Sequence, residues 1–183
     1  MVITHLAVAL LFALPVVVLA PELAVPAVLG AVAGGIFPDI DLFVGVHRRT
    51  FHFPVLAPAL AVPAVVVALV APSPLAVGGA VFLLGVGSHS ASDVLGAGLE
   101  LRPWERTNPD AVYDHVSGRW WKARYVIPYD GSPRDLTVSL AAGAPLLFVY
   151  DGPVQLLVAV LLVGGGLYTL LRRRLVPFFE RLG

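Results

Sequence analysis

The stretch from Pro74 to Ser92, PLAVGGAVFLLGVGSHSAS, decides how the chain is read. From Pro74 to Gly87 it carries no charge, and then Ser88, His89, Ser90 and Ser92 follow with Asp93 directly behind. A helix of about 20 apolar residues crosses a hydrocarbon core about 30 Å thick, because lipid satisfies no backbone polar group and a helix satisfies its own. The run is therefore a membrane span whose last turn carries ionisable side chains, and such residues are expensive near lipid unless they do something.

Working outward, Leu6 to Ala20, Phe53 to Ala71 and Pro153 to Leu171 read as spans of the same kind. Leu23 to Phe37 and Leu136 to Tyr150 are shorter, about 22 Å as helices, so each thins the bilayer, borrows flanking residues or, for the first, re-enters without crossing. Val18-Leu19-Ala20 has the form of a signal-peptide cleavage site, but no Lys or Arg precedes the apolar run, so the segment is read as a retained span. Composition agrees: 58% of the 183 residues are hydrophobic and 13% charged, against roughly 45–50% and about 25% in ordinary globular chains. This excludes a disordered chain, a coiled coil and a basic nucleic-acid binder, and the absence of Cys excludes disulfides and thiolate metal sites. The expected fold is an all-α, polytopic transmembrane helical bundle of about six spans, two of them short, forming one integral membrane domain over residues 1–183.

Tight turns at Pro21-Glu22, Pro72-Ser73-Pro74 and Asp151-Gly152 fall on one side of this scheme, and the longer segments and both termini on the other. All 12 Lys and Arg, from Arg48 to Arg181, then gather with the longer segments, whereas only Glu22 and Asp151 of the 12 acidic residues lie opposite. By the positive-inside rule the basic face is cytoplasmic, which predicts a multi-pass protein of the cell (inner) membrane with both termini inside. A five-span scheme with residues 23–37 re-entrant sends the N-terminus to the other face. Between spans four and five, residues 98–134 mix Trp104, Trp120, Trp121, Tyr113, Tyr125 and Tyr129 with six basic residues. That mixture predicts an interfacial segment among lipid headgroups, a loop with a short amphipathic helix, able to serve as a lid.

The ionisable residues cluster at the basic face. Asp39 and Asp41 stand two apart at a helix break, His47, Arg48 and His52 follow, and His89 and Asp93 stand four apart on one helical face. His5 arrives at the same level in the six-span scheme. Each piece has a bland reading: an Asp-x-Asp alone is weak, a His and Asp four apart can simply hydrogen-bond, and a lone His near an N-terminus is usually an interfacial anchor. Together His5, Asp39, Asp41, His47, His52, His89 and Asp93 exceed what one ion needs, so the expected cofactor is a divalent metal, with two or more ions accommodated. Any unligated carboxylate, Asp41 or Asp93 first, is a candidate general base, and Arg48 is a candidate phosphate contact, its fork being suited to that anion.

These residues carry a resemblance. Thr4-His5, the run Gly34 to Asp41 as Gly-x-x-x-Pro-Asp-x-Asp, His47 to Phe53, and His89, Asp93, Gly98 and Pro103 resemble, in order and spacing, the YdjM-like family of predicted membrane-bound metal-dependent hydrolases. The chain departs from that pattern at Arg49, where the family has Gly, and at Phe51 and Phe53, where it has Thr and Ser flanking the His. The family's His and Asp pattern is similar in turn to that of zinc-dependent phospholipase C enzymes. The resemblance implies zinc and hydrolysis of a phosphoester or lipid-linked substrate at the cytoplasmic interface, with membrane lipids as partners and no nucleic acid. The competing expectation is a membrane metal-binding or transport protein without hydrolase activity; transporters place such sites near the midplane between repeats, and no repeat is visible here.

Overall fold

The computed structural model describes residues 1–180, so Arg181 of the basic face lies outside the described residues. Six α-helices and one two-stranded sheet follow in the order α1 (Val2–Leu19), α2 (Ala24–Ile36), α3 (Leu56–Val70), α4 (Pro74–Ser92), β1 (Asp110–Asp114), β2 (Arg119–Lys122), α5 (Pro133–Gly143) and α6 (Gly152–Phe179). Four helical stretches are long and apolar enough to cross a membrane: Val2–Leu19, Pro21–Leu42, Pro74–Leu95 and Gly152–Phe178. The second is α2 lengthened by 3-10 turns at both ends, and the third is α4 with a 3-10 turn after it. At 15 residues α3 is shorter. The span expected over Leu136 to Tyr150 is α5, started by Ser132, whose hydroxyl accepts from the Asp135 N–H, and finished by a 3-10 turn over Ala144–Phe148 that contains Pro145. Of the six expected spans, four lie in helices long and apolar enough to cross, among them residues 23–37, expected as a short span; the shorter helices are α3, expected as a full span, and α5.

The outer surface is that of a bundle solvated by lipid. Leu29, Val62, Leu69, Leu156 and Leu170 are each more than half exposed, whereas the centre is made of Ala9, Leu10, Ala13, Ala27, Ala31, Val77 and Val81. Small residues sit inside because helices gain nothing in lipid by burying more apolar area and associate instead by close backbone approach. The tightest crossing is α2 on α4. A Cβ at Gly30 or Gly34 would overlap the carbonyl oxygen of Gly78 or Phe82, and one at Gly85 would lie 2.9 Å from the Gly34 carbonyl carbon. Gly30 and Gly34 form a G-x-x-x-G pair, and the ascending order of their partners makes the two helices parallel. Both therefore end on the same face, which puts Asp39 and His89 side by side. At mid-depth the Tyr150 hydroxyl donates to the Leu10 carbonyl oxygen at 2.9 Å, fastening the α5–α6 turn to α1.

The segment expected to hold an amphipathic helix holds a hairpin instead. Asp110↔Lys122, Val112↔Trp121, Tyr113↔Trp120 and Asp114↔Arg119 pair antiparallel, with an irregularity between Asp110 and Val112. The alternating DAVYD and RWWK suit a strand, and Gly118 supplies the positive φ the turn needs, at 66°. The Asp114 carboxylate closes that turn by accepting from the N–H of Val116 and the hydroxyl of Ser117. The hairpin is stitched to the helix ends: Tyr113 N–H donates to Arg48 O, Arg124 N–H to Val94 O and Ile127 N–H to Leu95 O. It roofs the face where the ionisable residues collect.

Candidate metal centre

Three elements deliver the site. The last turn of α4 carries His89 and the 3-10 turn directly after it Asp93, the 3-10 turn Phe37–Leu42 carries Asp39 and Asp41, and the first turn of α1 carries His5. The loop between α2 and α3 adds His47, Arg48 and His52. Arg48 holds that loop in the left-handed region, φ 60°, a conformation rare for a residue with a Cβ. All seven residues expected from sequence as ligands meet at this face.

Their contacts assign the imidazole protons. His89 Nδ1 lies 2.8 Å from the Gly35 carbonyl oxygen, which only accepts, so the proton is on Nδ1 and Nε2 presents a lone pair. His52 Nδ1 donates to Asp41 Oδ2 at 2.9 Å and His47 Nδ1 to Asp41 Oδ1 at 2.8 Å. Both Asp41 oxygens are thereby used in aiming two rings. Around the lone pair of His89, Asp39 Oδ1 is 3.5 Å away and Asp93 Oδ2 4.0 Å; Asp93 Oδ2 is also 3.1 Å from His52 Nε2, and Asp93 Oδ1 is 3.7 Å from His5 Nε2. The His5 and His89 rings lie 3.8 Å apart. His5, His89 and Asp93 form one group able to hold an ion, and Asp39, His52 and His89 another. Asp41 and His47 belong to neither group and reach the centre only through their mutual bond and the one to His52.

The unpartnered atoms point the same way. Both nitrogens of His5 are buried without a hydrogen-bond partner among the described residues, and His52 Nε2 and Asp93 Oδ2 are buried with only their 3.1 Å contact to each other, a costly condition for polar atoms unless a ligand relieves it. Charge agrees: Asp39, Asp41 and Asp93 against Arg48 leave two negative charges, which one divalent cation balances. Without a cation, protons do part of that work. Burial opposes charge on His52, but the carboxylates of Asp41 and Asp93 outweigh it and push the imidazole up to about 9. His47, further from Asp93, is lowered by burial against the pull of Asp41. The donor set of imidazoles and carboxylates suits a borderline ion such as zinc. Because His89 Nδ1 is committed to Gly35, it has one nitrogen left to offer an ion, and Asp93 lies within reach of the rings of His5, His52 and His89.

Arg48 sits over this centre. Its Nη1 donates to the carbonyl oxygens of Ala97 at 2.7 Å and Ala111 at 3.3 Å, and its Nε is 3.9 Å from Asp93 Oδ2. The phenylalanines flanking His52 join the network through backbone and ring: Phe53 N–H donates to Ser90 Oγ at 3.1 Å, and the Phe51 ring packs on Phe37. Sequence reasoning missed the carbonyl of Gly35, which bears no side-chain signal, and the buried set of Thr4, Asp135 and Ser139 that anchors α1 beside His5. Thr4 had a signal in its place directly before His5. His115, outside the expected ligand set, bonds the Arg49 carbonyl oxygen at 2.6 Å and packs on Phe53.

Compared with family models, curated proteins and solved structures, the chain finds no match.

Proposed function

We propose that this protein is a membrane-bound metal-dependent hydrolase that cleaves a phosphoester, carried on a lipid or lipid-linked substrate, at the cytoplasmic interface. The observation that carries the reading is the convergence of His5, His52, His89, Asp39 and Asp93 with imidazole and carboxylate atoms buried and unpartnered. The topology proposed with it has six crossings, two short, both termini with the site, and the basic face inside. This reading agrees with the resemblance to the YdjM-like hydrolases, to which we assign the chain on its Thr-His, Pro-Asp-x-Asp and His-x-x-x-Asp elements.

Zinc, if held by His5, His52, His89, Asp39 and Asp93, would supply Lewis acidity, lowering the pKa of water from 15.7 to about 7 and drawing charge from the phosphoryl oxygens. The chain's own residues do the rest. Asp41 aims His47 and His52, and Gly35 O aims His89. Asp93, held between His52 and Arg48, accepts the proton that water loses as its oxygen adds to phosphorus. The phosphorus–oxygen bond to the alcohol then breaks, and that proton goes to the leaving oxygen, so water is consumed and one alcohol and one phosphate monoester form. Arg48, anchored on two carbonyls, faces the added negative charge.

The test is elemental analysis of detergent-purified protein after zinc supply, followed by phosphate-ester release from phospholipid vesicles. Wild type is expected to hold stoichiometric zinc and to release ester; Asp39→Ala and His89→Ala are expected to lose both. A wild type without divalent metal after supply refutes the proposal, as does a zinc-loaded protein that hydrolyses soluble esters but no lipid.

A further inference from the structure

Beside the metal centre lies a cavity of about 120 Å³ lined by His47, Arg48, Glu100, Asp130 and Arg172, with main chain and apolar side chains between them. Its wall is continuous with the centre through Arg48, which faces Asp93, and through His47, which is bonded to Asp41. Its size is about four times the share of one water in the liquid, about 30 Å³. That suits a small headgroup and excludes an acyl chain.

The charges inside it are paired unevenly. Arg172 is buried, and its Nε and Nη2 donate to the carbonyl oxygens of Asp130 at 3.2 Å and Leu101 at 3.1 Å; among the described residues no carboxylate forms an ion pair with it. Arg48 is likewise fixed by two carbonyls. Both guanidinium groups are therefore oriented by neutral acceptors; Arg48 shares its charge with Asp93 at 3.9 Å, whereas Arg172 keeps positive charge for an anion. The two acids differ. Asp130 is occupied: the N-terminal ammonium pairs with its Oδ1 and the Tyr168 hydroxyl donates to its Oδ2 at 3.0 Å. Glu100 is free: both its oxygens are buried without a hydrogen-bond partner. The Tyr125 hydroxyl, coupled to the Glu100 charge, is buried and unpartnered as well.

Resting on the hydrolase reading, we infer that this cavity is a headgroup subsite for an aminoalkyl phosphate, Arg48 and Arg172 receiving the phosphate and Glu100 the primary ammonium, as in an ethanolamine phospholipid. A primary ammonium has three N–H donors and meets a bare carboxylate directly, whereas a quaternary ammonium has none and is held by aromatic faces. The cavity is lined by no Trp, Tyr or Phe that would form such a face. A glycerol headgroup offers Glu100 a neutral hydroxyl but no opposite charge, and a serine headgroup sets its extra carboxylate against Glu100 and Asp130.

The test uses the full chain in detergent with zinc, titrated calorimetrically with glycerophosphoethanolamine, glycerophosphocholine and glycerophosphoglycerol. Glycerophosphoethanolamine is expected to bind about tenfold to hundredfold more tightly than the other two, the worth of one charge-assisted hydrogen bond. Glu100→Gln is expected to bring the three to within about threefold of one another. Vesicles of phosphatidylethanolamine, phosphatidylcholine and phosphatidylglycerol form the second arm, with hydrolysis expected to follow the same order. Equal binding in the wild type overturns the subsite, and so does a preference that survives in Glu100→Gln. Equal hydrolysis of all three lipids overturns the subsite and leaves the hydrolase standing. Preferential binding without turnover of any lipid supports the subsite and removes the hydrolase.

Discussion

Replacing Asp41 by Asn separates a residue that holds a cation from one that aims the residues holding it. Both Asp41 oxygens accept from imidazole Nδ1 atoms, at 2.8 Å from His47 and 2.9 Å from His52. An amide offers one acceptor and one donor, so one ring must lose its bond or move its proton to Nε2. If that ring is His52, the nitrogen facing Asp93 is blocked. Losing one charge-assisted hydrogen bond costs about 1.5–3 kcal/mol, and loss of such an orienting partner weakens metal binding about 10–100-fold, or about 1.4–2.7 kcal/mol; the two figures agree. The assay is zinc competition with a chromophoric chelator in detergent, with thermal unfolding of the metal-free protein as the control for folding. Asp41→Asn is expected to keep the wild-type zinc stoichiometry and to weaken affinity by that factor, whereas Asp39→Asn, which removes a member of one ion-holding group, lowers the stoichiometry. An affinity change under about threefold would show that Asp41 aims nothing. Complete loss of zinc would show that it is itself a ligand.

Gly34→Leu forces α2 from α4, an overpacking that costs about 1–3 kcal/mol; a lower melting temperature than Gly79→Leu is expected, because a Cβ at Gly79 meets nothing within 4 Å. Equal melting temperatures would refute the close crossing. His52 gives a pH signature: its imidazole is raised from 6.5 to about 9, so the stabilisation it gives the metal-free protein is full below about 6.5 and is lost as pH rises through about 9. Melting temperature of the metal-free protein is expected to fall across that window, and zinc affinity to rise with pH as the cation replaces the proton; a flat profile in both would exclude a charged His52. Tyr150→Phe removes the bond to Leu10 and is expected to cost about 1 kcal/mol in detergent unfolding, with no effect on zinc content. Since the chain has no Cys, single cysteines at Glu22, Asp151 and Val116 report topology through an impermeant maleimide: the first two are expected to label from outside the cell and the third only after lysis.

The order of His and Asp along the chain was legible because a membrane span leaves few places for ionisable residues, and those places lie at its ends. α4 begins at Pro74 and ends at Ser92 as read from sequence, since Pro and the following polar turn mark both limits. α6 runs beyond the expected Leu171 to Phe179, because arginines end an apolar run without ending a helix; Arg172 to Arg174 continue it into the interface, and Arg172 turns inward to line the headgroup cavity. The hairpin at 110–122 was hidden because its alternation is only four or five residues long and its tryptophans read equally well as interfacial anchors. What sequence could not express is the pairing that gives each group its role. Nothing in Gly35, Leu101 or Ala97 announces a carbonyl that fixes a His or an Arg, yet those carbonyls decide which nitrogen of His89 faces the centre and orient the guanidinium groups of Arg48 and Arg172. The same logic distinguishes the carboxylates: Asp41 and Asp130 are spent on partners already present, whereas Asp93 and Glu100 keep buried oxygens open. A site that satisfied every polar atom would be a stable interior and nothing more, so the atoms left open at Asp93 and Glu100 are the places where this fold expects something other than itself.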